Sequence, residues 1–98
     1  MNVKFDIPAK ESLEQYYENY KYLPTGGTDL RQRADNYRKI VRTLSNIEHY
    51  LDHTYVEDGR KFIIIEDIGT IEYKITKKKE ILVKNINFDD CQINSTLL

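Results

Sequence analysis

Tryptophan is absent, cysteine and methionine occur once each, and only two prolines and four glycines punctuate 98 residues. A lone Cys91 excludes an internal disulfide framework and any multi-cysteine metal site. No histidine lies near it in sequence, so it reads as an ordinary thiol in a tail and not as a nucleophile. No apolar run approaches the roughly 20 residues of a membrane-spanning helix. The opening Met1-Asn2-Val3-Lys4-Phe5-Asp6 also lacks the apolar stretch of a secretion signal, so a cytoplasmic protein with no membrane contact is expected. Neither sign of charge dominates: the formal net charge is −1, which gives no overall pull toward nucleic acid.

The charge that is present is unevenly spread. Residues 25–44 carry five basic and two acidic side chains, residues 45–59 none and four, and residues 60–88 seven and four. Two local basic surfaces can therefore form around an acidic connection. With 40% hydrophobic residues, the chain has enough apolar material for one modest core and too little length for two. One domain over residues 1–89 with a tail over 90–98 is expected.

The densest β-branched and aromatic content lies in residues 60–88, and the rest of the chain is arranged to cover it. Lys61 to Ile65 holds four consecutive apolar residues, the pattern of a strand buried on both faces. After a break at Glu66-Asp67-Ile68-Gly69, Ile71, Tyr73 and Ile75 alternate with Glu72 and Lys74, the period of a half-buried strand. The polar tip Lys77-Lys78-Lys79-Glu80 turns the chain into Ile81 to Phe88, whose apolar centre suits a sheet interior.

Upstream, Val3, Phe5 and Ile7 alternate as a short strand, and Pro8 suits the first turn of a helix. Leu13, Tyr16, Tyr17, Tyr20 and Leu23 then form one apolar stripe, ended by Pro24 and Gly26-Gly27. Thr28 or Asp29 can cap a second helix running to about Asp52, its inner face made by Leu30, Ala34, Tyr37, Val41, Leu44 and Leu51 and widened by Ile40 and Ile47. Six of eight tyrosines fall in this helix pair, where their spacing marks core with polar rims in preference to a base-stacking platform. His53 to Gly59 reads as a connection. The expected fold is α+β, β-α-α-β-β-β, with a two-helix hairpin packed on a mainly antiparallel four-stranded sheet.

At this point the chain resembles the RelE/ParE superfamily of bacterial toxins. The resemblance lies in VKFDIPAKESLEQYYENY, similar to a strand, a proline break and an acidic amphipathic helix; in the charged second helix; and in GTIEYKITKKKEILVKNINFD, which looks like the family's glycine, tyrosine strand, charged turn and apolar strand. It covers residues 1 to about 89. The resemblance implies a component of a type II toxin–antitoxin system, of the kind that serves plasmid stabilisation, silenced by a cognate antitoxin protein. Its target would be the ribosome and its message in the RelE branch, or DNA gyrase in the ParE branch. Where the family places an arginine ahead of the tyrosine strand, this chain has Thr70 and Ile71; where it places a basic cluster after the last strand, Asp89 and Asp90 stand. Lys61 could stand in for one basic residue, and Tyr73 for the strand tyrosine, although Tyr73 reads better as core. Cleavage at a 2′-hydroxyl needs a proton acceptor, a proton donor and positive charge on the phosphate. Binding is therefore expected over RNA cleavage. A non-toxic interaction module and a ribosome-dependent ribonuclease are the alternatives.

Candidate binding residues are Arg31, Arg38 and Arg42, one stripe of the second helix with Lys39 beside it and Asp35 interrupting, and Lys61, Lys74 and Lys84, which could gather on the sheet face away from the helices. His49 and His53, four apart, would share one face of an α-helix as a zinc pair does, with Glu57 or Asp58 as the only nearby third ligand. Histidines in a last turn also suit the helix dipole, so no metal site and no cofactor is expected. Gly26-Gly27-Thr28-Asp29 lacks the lysine of a phosphate loop and reads as a helix-to-helix turn. Apolar Leu97-Leu98 at the end of the tail hints at self-association.

Overall fold

A computed structural model describes residues 2–21 and 28–89. The expected turn at Pro24 and Gly26-Gly27, the inward faces of Tyr20, Leu23 and Leu30, the cap at Thr28 or Asp29, and the tail with Asp90, Cys91 and Leu97-Leu98 lie outside the residues or side chains described.

Strand β1 (Val3–Phe5) leads into helix α1 (Ile7–Lys21). Ile7, expected to close the strand, is the first residue of the helix instead. Asp6 sets this boundary: its carboxylate accepts a hydrogen bond from the Ile7 amide and its carbonyl accepts from Ala9 and Lys10, while Pro8 sits where no donor is needed. Helix α2 (Thr28–Ser45) ends earlier than expected, and a 3₁₀ helix, Ile47–His53, continues the path. At the break, the Ser45 hydroxyl donates to the Val41 carbonyl and the Asn46 side chain to the Arg42 carbonyl. Such side chains compete for the helical ladder and loosen it.

The sheet has five strands in the order β1-β5-β4-β3-β2, with β2 Thr54–Glu57, β3 Arg60–Ile65, β4 Gly69–Ile75 and β5 Ile81–Phe88. All pairs are antiparallel except β1 with β5, which run parallel with Val3 opposite Ile81 and Phe5 opposite Val83. The four-stranded expectation is thus corrected by one strand, β2. Asp58-Gly59 is not the end of a loose connection but a two-residue hairpin loop with both residues at positive φ, 54° and 75°. That is the type I′ geometry whose twist matches flanking strands.

The helices cover one face. Ala9 and Tyr16 of α1, Ile40 and Leu44 of α2, and Ile47 pack with Ile63, Ile71, Tyr73, Ile81, Val83, Ile86 and Phe88. Tyr16 stacks on Phe88 with ring centroids 3.7 Å apart. Ile40 is fully buried and Leu44 buried as expected, while Ala34, Tyr37 and Val41 are only half-buried, so the inner stripe of α2 runs through Asn36, Ile40, Thr43 and Leu44. Asn36 is accommodated because its side-chain oxygen accepts from Gln32.

In β5 the buried positions change parity, from Ile81 and Val83 to Ile86 and Phe88. The cause is a bulge: Glu72 pairs with Asn85 but Tyr73 pairs with Val83, leaving Lys84 without an opposite number. Asn85 lies on the helix side, where its side-chain oxygen accepts from the Ser12 hydroxyl of α1 and from the Ile86 amide.

Candidate partner-binding face

Alternation fixes what the second face of the sheet carries. Ile63, Ile71 and Ile86 point into the core, so Phe62, Ile64, Thr70 and Glu72 point the other way, together with Tyr55 and Glu57 of β2, Lys74 of β4, Leu82 of β5 and Lys4 of β1. Among the described residues no helix covers this face. The expectation that β3 is buried on both sides is corrected here: Ile64 is 54% exposed. A run of four apolar residues came from one inward and one outward set, and not from two covered faces.

At the centre of the face, the Arg60 guanidinium donates to both oxygens of Glu72, at 2.9 and 2.7 Å. Phe62 lies beneath the same guanidinium at 5.2 Å from its ring centre, and Tyr55 stacks on Phe62 from β2. Two aromatics and a forked ion pair thus make one continuous patch, with the planar guanidinium on the ring face where the quadrupole favours a cation. Glu72 is only 7% exposed. The Arg60 hydrogen bonds hold its carboxyl below the ordinary carboxylate range; the charges of Arg60 and Lys84 act the same way, and burial opposes them. The same hydrogen bond raises the Arg60 guanidinium above its ordinary value. Glu72, read from alternation as a wet residue, is a buried acceptor already committed to a partner.

Lys74 is exposed and Lys84 half-buried on this face, and neither has an ion-pair partner among the described residues. Lys4 is paired with Glu80 at 3.3 Å. Lys61 does not join them: it stands opposite Tyr73 and Val56, on the helix side of the sheet. The expected trio is therefore a pair, and the cation that completes the face is Arg60. Strict alternation from Phe62 and Glu72 was the signal that could have found it.

The arginine stripe of α2 is divided. Arg31, Arg38 and Arg42 are all exposed, but Arg38 is engaged by Asp35 at 3.0 Å, whereas Arg42 lines a cleft with Lys39, Tyr50 and His53. The zinc pairing is also corrected. His49 and His53 lie on a 3₁₀ helix, where residues three apart eclipse and residues four apart diverge. His49 lines a small cavity with Val3 and Asn46, and His53 a different one. Among the described residues no three metal-ligating side chains cluster.

Tyr73 is 4% exposed and its hydroxyl lies 2.6 Å from that of Thr54, so it is a core residue with its polar end satisfied. Ile71 is fully buried and Asp89 exposed. Comparison of the chain with protein-family models and with curated proteins gives no match.

Proposed function

We propose that this chain is the toxin-like member of a type II toxin–antitoxin pair, of the RelE/ParE kind, and that it acts by binding a macromolecule through the open face of its sheet and not by cutting RNA. The observation that carries the binding reading is the Arg60–Glu72 fork. The buried carboxylate of the open face, the group that would serve as proton acceptor, has both oxygens occupied by a guanidinium. Lys74 and Lys84 remain as positive charge outside any ion pair among the described residues, and Tyr55, Phe62 and Ile64 as apolar contact area, a composition suited to recognition. The strand, two helices and terminal meander support the superfamily reading.

Expression of the chain alone in a bacterial host is expected to arrest growth, with messages left uncut on toe-printing, and co-expression of the neighbouring gene's product is expected to relieve the arrest by forming a complex. Absence of both arrest and complex from well-expressed, folded protein would overturn the toxin reading. The same fork favours a second reading, a non-toxic interaction module of the same scaffold, which predicts a stable complex without growth arrest. Discrete message cuts that vanish in Lys61→Ala would instead establish a ribonuclease.

A further inference from the structure

We infer that the cleft between α2, the 3₁₀ helix and the free edge of β3 is a binding site for a mononucleotide, held by its phosphate. The cleft exists because β2 is short. Pairing of β2 with β3 ends at Thr54 opposite Ile63, so beyond that point the last two residues of β3, Ile64 and Ile65, have no strand beside them on that side, and Glu66 follows in the turn. The 3₁₀ helix and the flank of α2 border the gap, leaving an open cleft of about 310 Å³. Small-molecule sites hold roughly 300–1,000 Å³, so this one takes a ligand of nucleotide size and is larger than a bare phosphate requires.

The chemistry of the walls selects the ligand. Lys39 and Arg42 project from α2 into the cleft, and neither has an ion-pair partner among the described residues. A guanidinium and an ammonium together suit a phosphomonoester, one as a planar fork and the other as a mobile point charge. Next to them, Tyr50 and His53 stand with ring centroids 6.1 Å apart and planes tilted by 44°, an angled aromatic wall in a cleft that Ile64 and Ile65 also line. A flat, partly apolar ring fits between such surfaces. Glu66, the single carboxylate in the lining, offers no attraction to phosphate but can accept from a ribose hydroxyl or an exocyclic amine. Two cations against one acid leave the cleft net positive. The cleft meets the open sheet face at Ile64, but its two cations stand on α2 and not on the sheet, so its success or failure does not depend on the toxin reading.

The test is titration of the full chain with 5′-adenosine and 5′-guanosine monophosphate, ribose 5-phosphate, inorganic phosphate and adenosine, followed by amide chemical shifts. Mononucleotides are expected to shift residues of α2, the 3₁₀ helix and the end of β3, with ribose 5-phosphate and phosphate weaker at the same place and adenosine weakest. Arg42→Gln and Lys39→Gln, both at exposed positions that leave the core untouched, are expected to weaken mononucleotide binding roughly tenfold or more, as loss of a charge-assisted hydrogen bond implies. No shift at the cleft up to about 10 mM nucleotide would overturn the inference. So would adenosine binding as well as its monophosphate, or binding unchanged in both variants with their unfolding midpoints intact.

Discussion

Glu72 faces away from the core, between Ile71 and Tyr73, and is buried there because Arg60 covers it. The consequence is a pH dependence with a fixed sign. Because the folded-state carboxyl is held below its unfolded value, its contribution is fully present above about pH 4.5 and is lost as pH falls through the lower, folded value. Glu72→Gln removes that contribution. It is expected to cost about 1 kcal/mol near neutrality, at the low end for a charged hydrogen bond because Arg60 is open to solvent. Urea midpoints measured from pH 7 downward should then converge for the two proteins in acid. An offset that stays constant across this range would show that the fork contributes packing and not charge. Alternation alone assigns Glu72 to solvent. Its partner lies twelve residues upstream, across a hairpin, and only the register makes the two neighbours.

At the scale of elements, the two turns that bound β3 and β4 depend on glycine for different reasons. Gly59 has a φ of 75° and open space around an added Cβ, so Gly59→Ala meets no neighbour and is penalised by conformation alone, by about 1–2 kcal/mol. Gly69 has ordinary strand backbone, but a Cβ there would overlap the carbonyl of Asn87 on β5. Gly69→Ala must push β4 and β5 apart where their pairing ends and is expected to cost about 1–3 kcal/mol, with the loss of exchange protection concentrated in those strands. Hydrogen exchange separates the cases: protection in the Gly59→Ala protein should fall in β2 and β3 while β4 and β5 keep theirs. Both glycines stand in the sequence as strand boundaries, and the meander was legible there because its β-branched runs and polar tips are local signals. The β2 strand was legible in principle as well, since Thr54-Tyr55-Val56 followed by Asp58-Gly59 is a hairpin signal; its charged end hid it within an acidic connection. The bulge left a trace in the slip from Ile81 and Val83 to Ile86 and Phe88. The early stop of α2 left less, because heptad-like spacing carries on through Ile47 and Leu51 into a 3₁₀ helix of different pitch.

For the whole molecule, the apolar core lies on one face of the sheet, and the binding reading proposed above places recognition on the other. The inward face holds Ile63, Ile71, Tyr73 and Val83 against both helices, and the outward face carries charge and aromatic area that the core does not need. Sequence could not assign lysines to these faces, because which strand neighbours which is a property of the assembled sheet; Lys61 and Lys74 look equivalent in the chain and stand on opposite sides in the fold. This separation makes the binding reading testable without unfolding the protein. Lys74 is exposed and Lys84 half-buried, so Lys74→Glu combined with Lys84→Gln reverses one charge and removes the other while both Arg60 and Glu72 are kept. The expected outcome is a folded protein whose unfolding midpoint moves little and whose expression no longer arrests growth, because a partner drawn by positive charge meets a neutralised face. Binding by the unaltered protein to the partner captured on this face should weaken as salt rises, with a steeper slope than the variant shows. Arg42→Gln, on α2 and not on the sheet, should leave that slope unchanged. Growth arrest that persists in the double variant would move the acting surface away from the sheet.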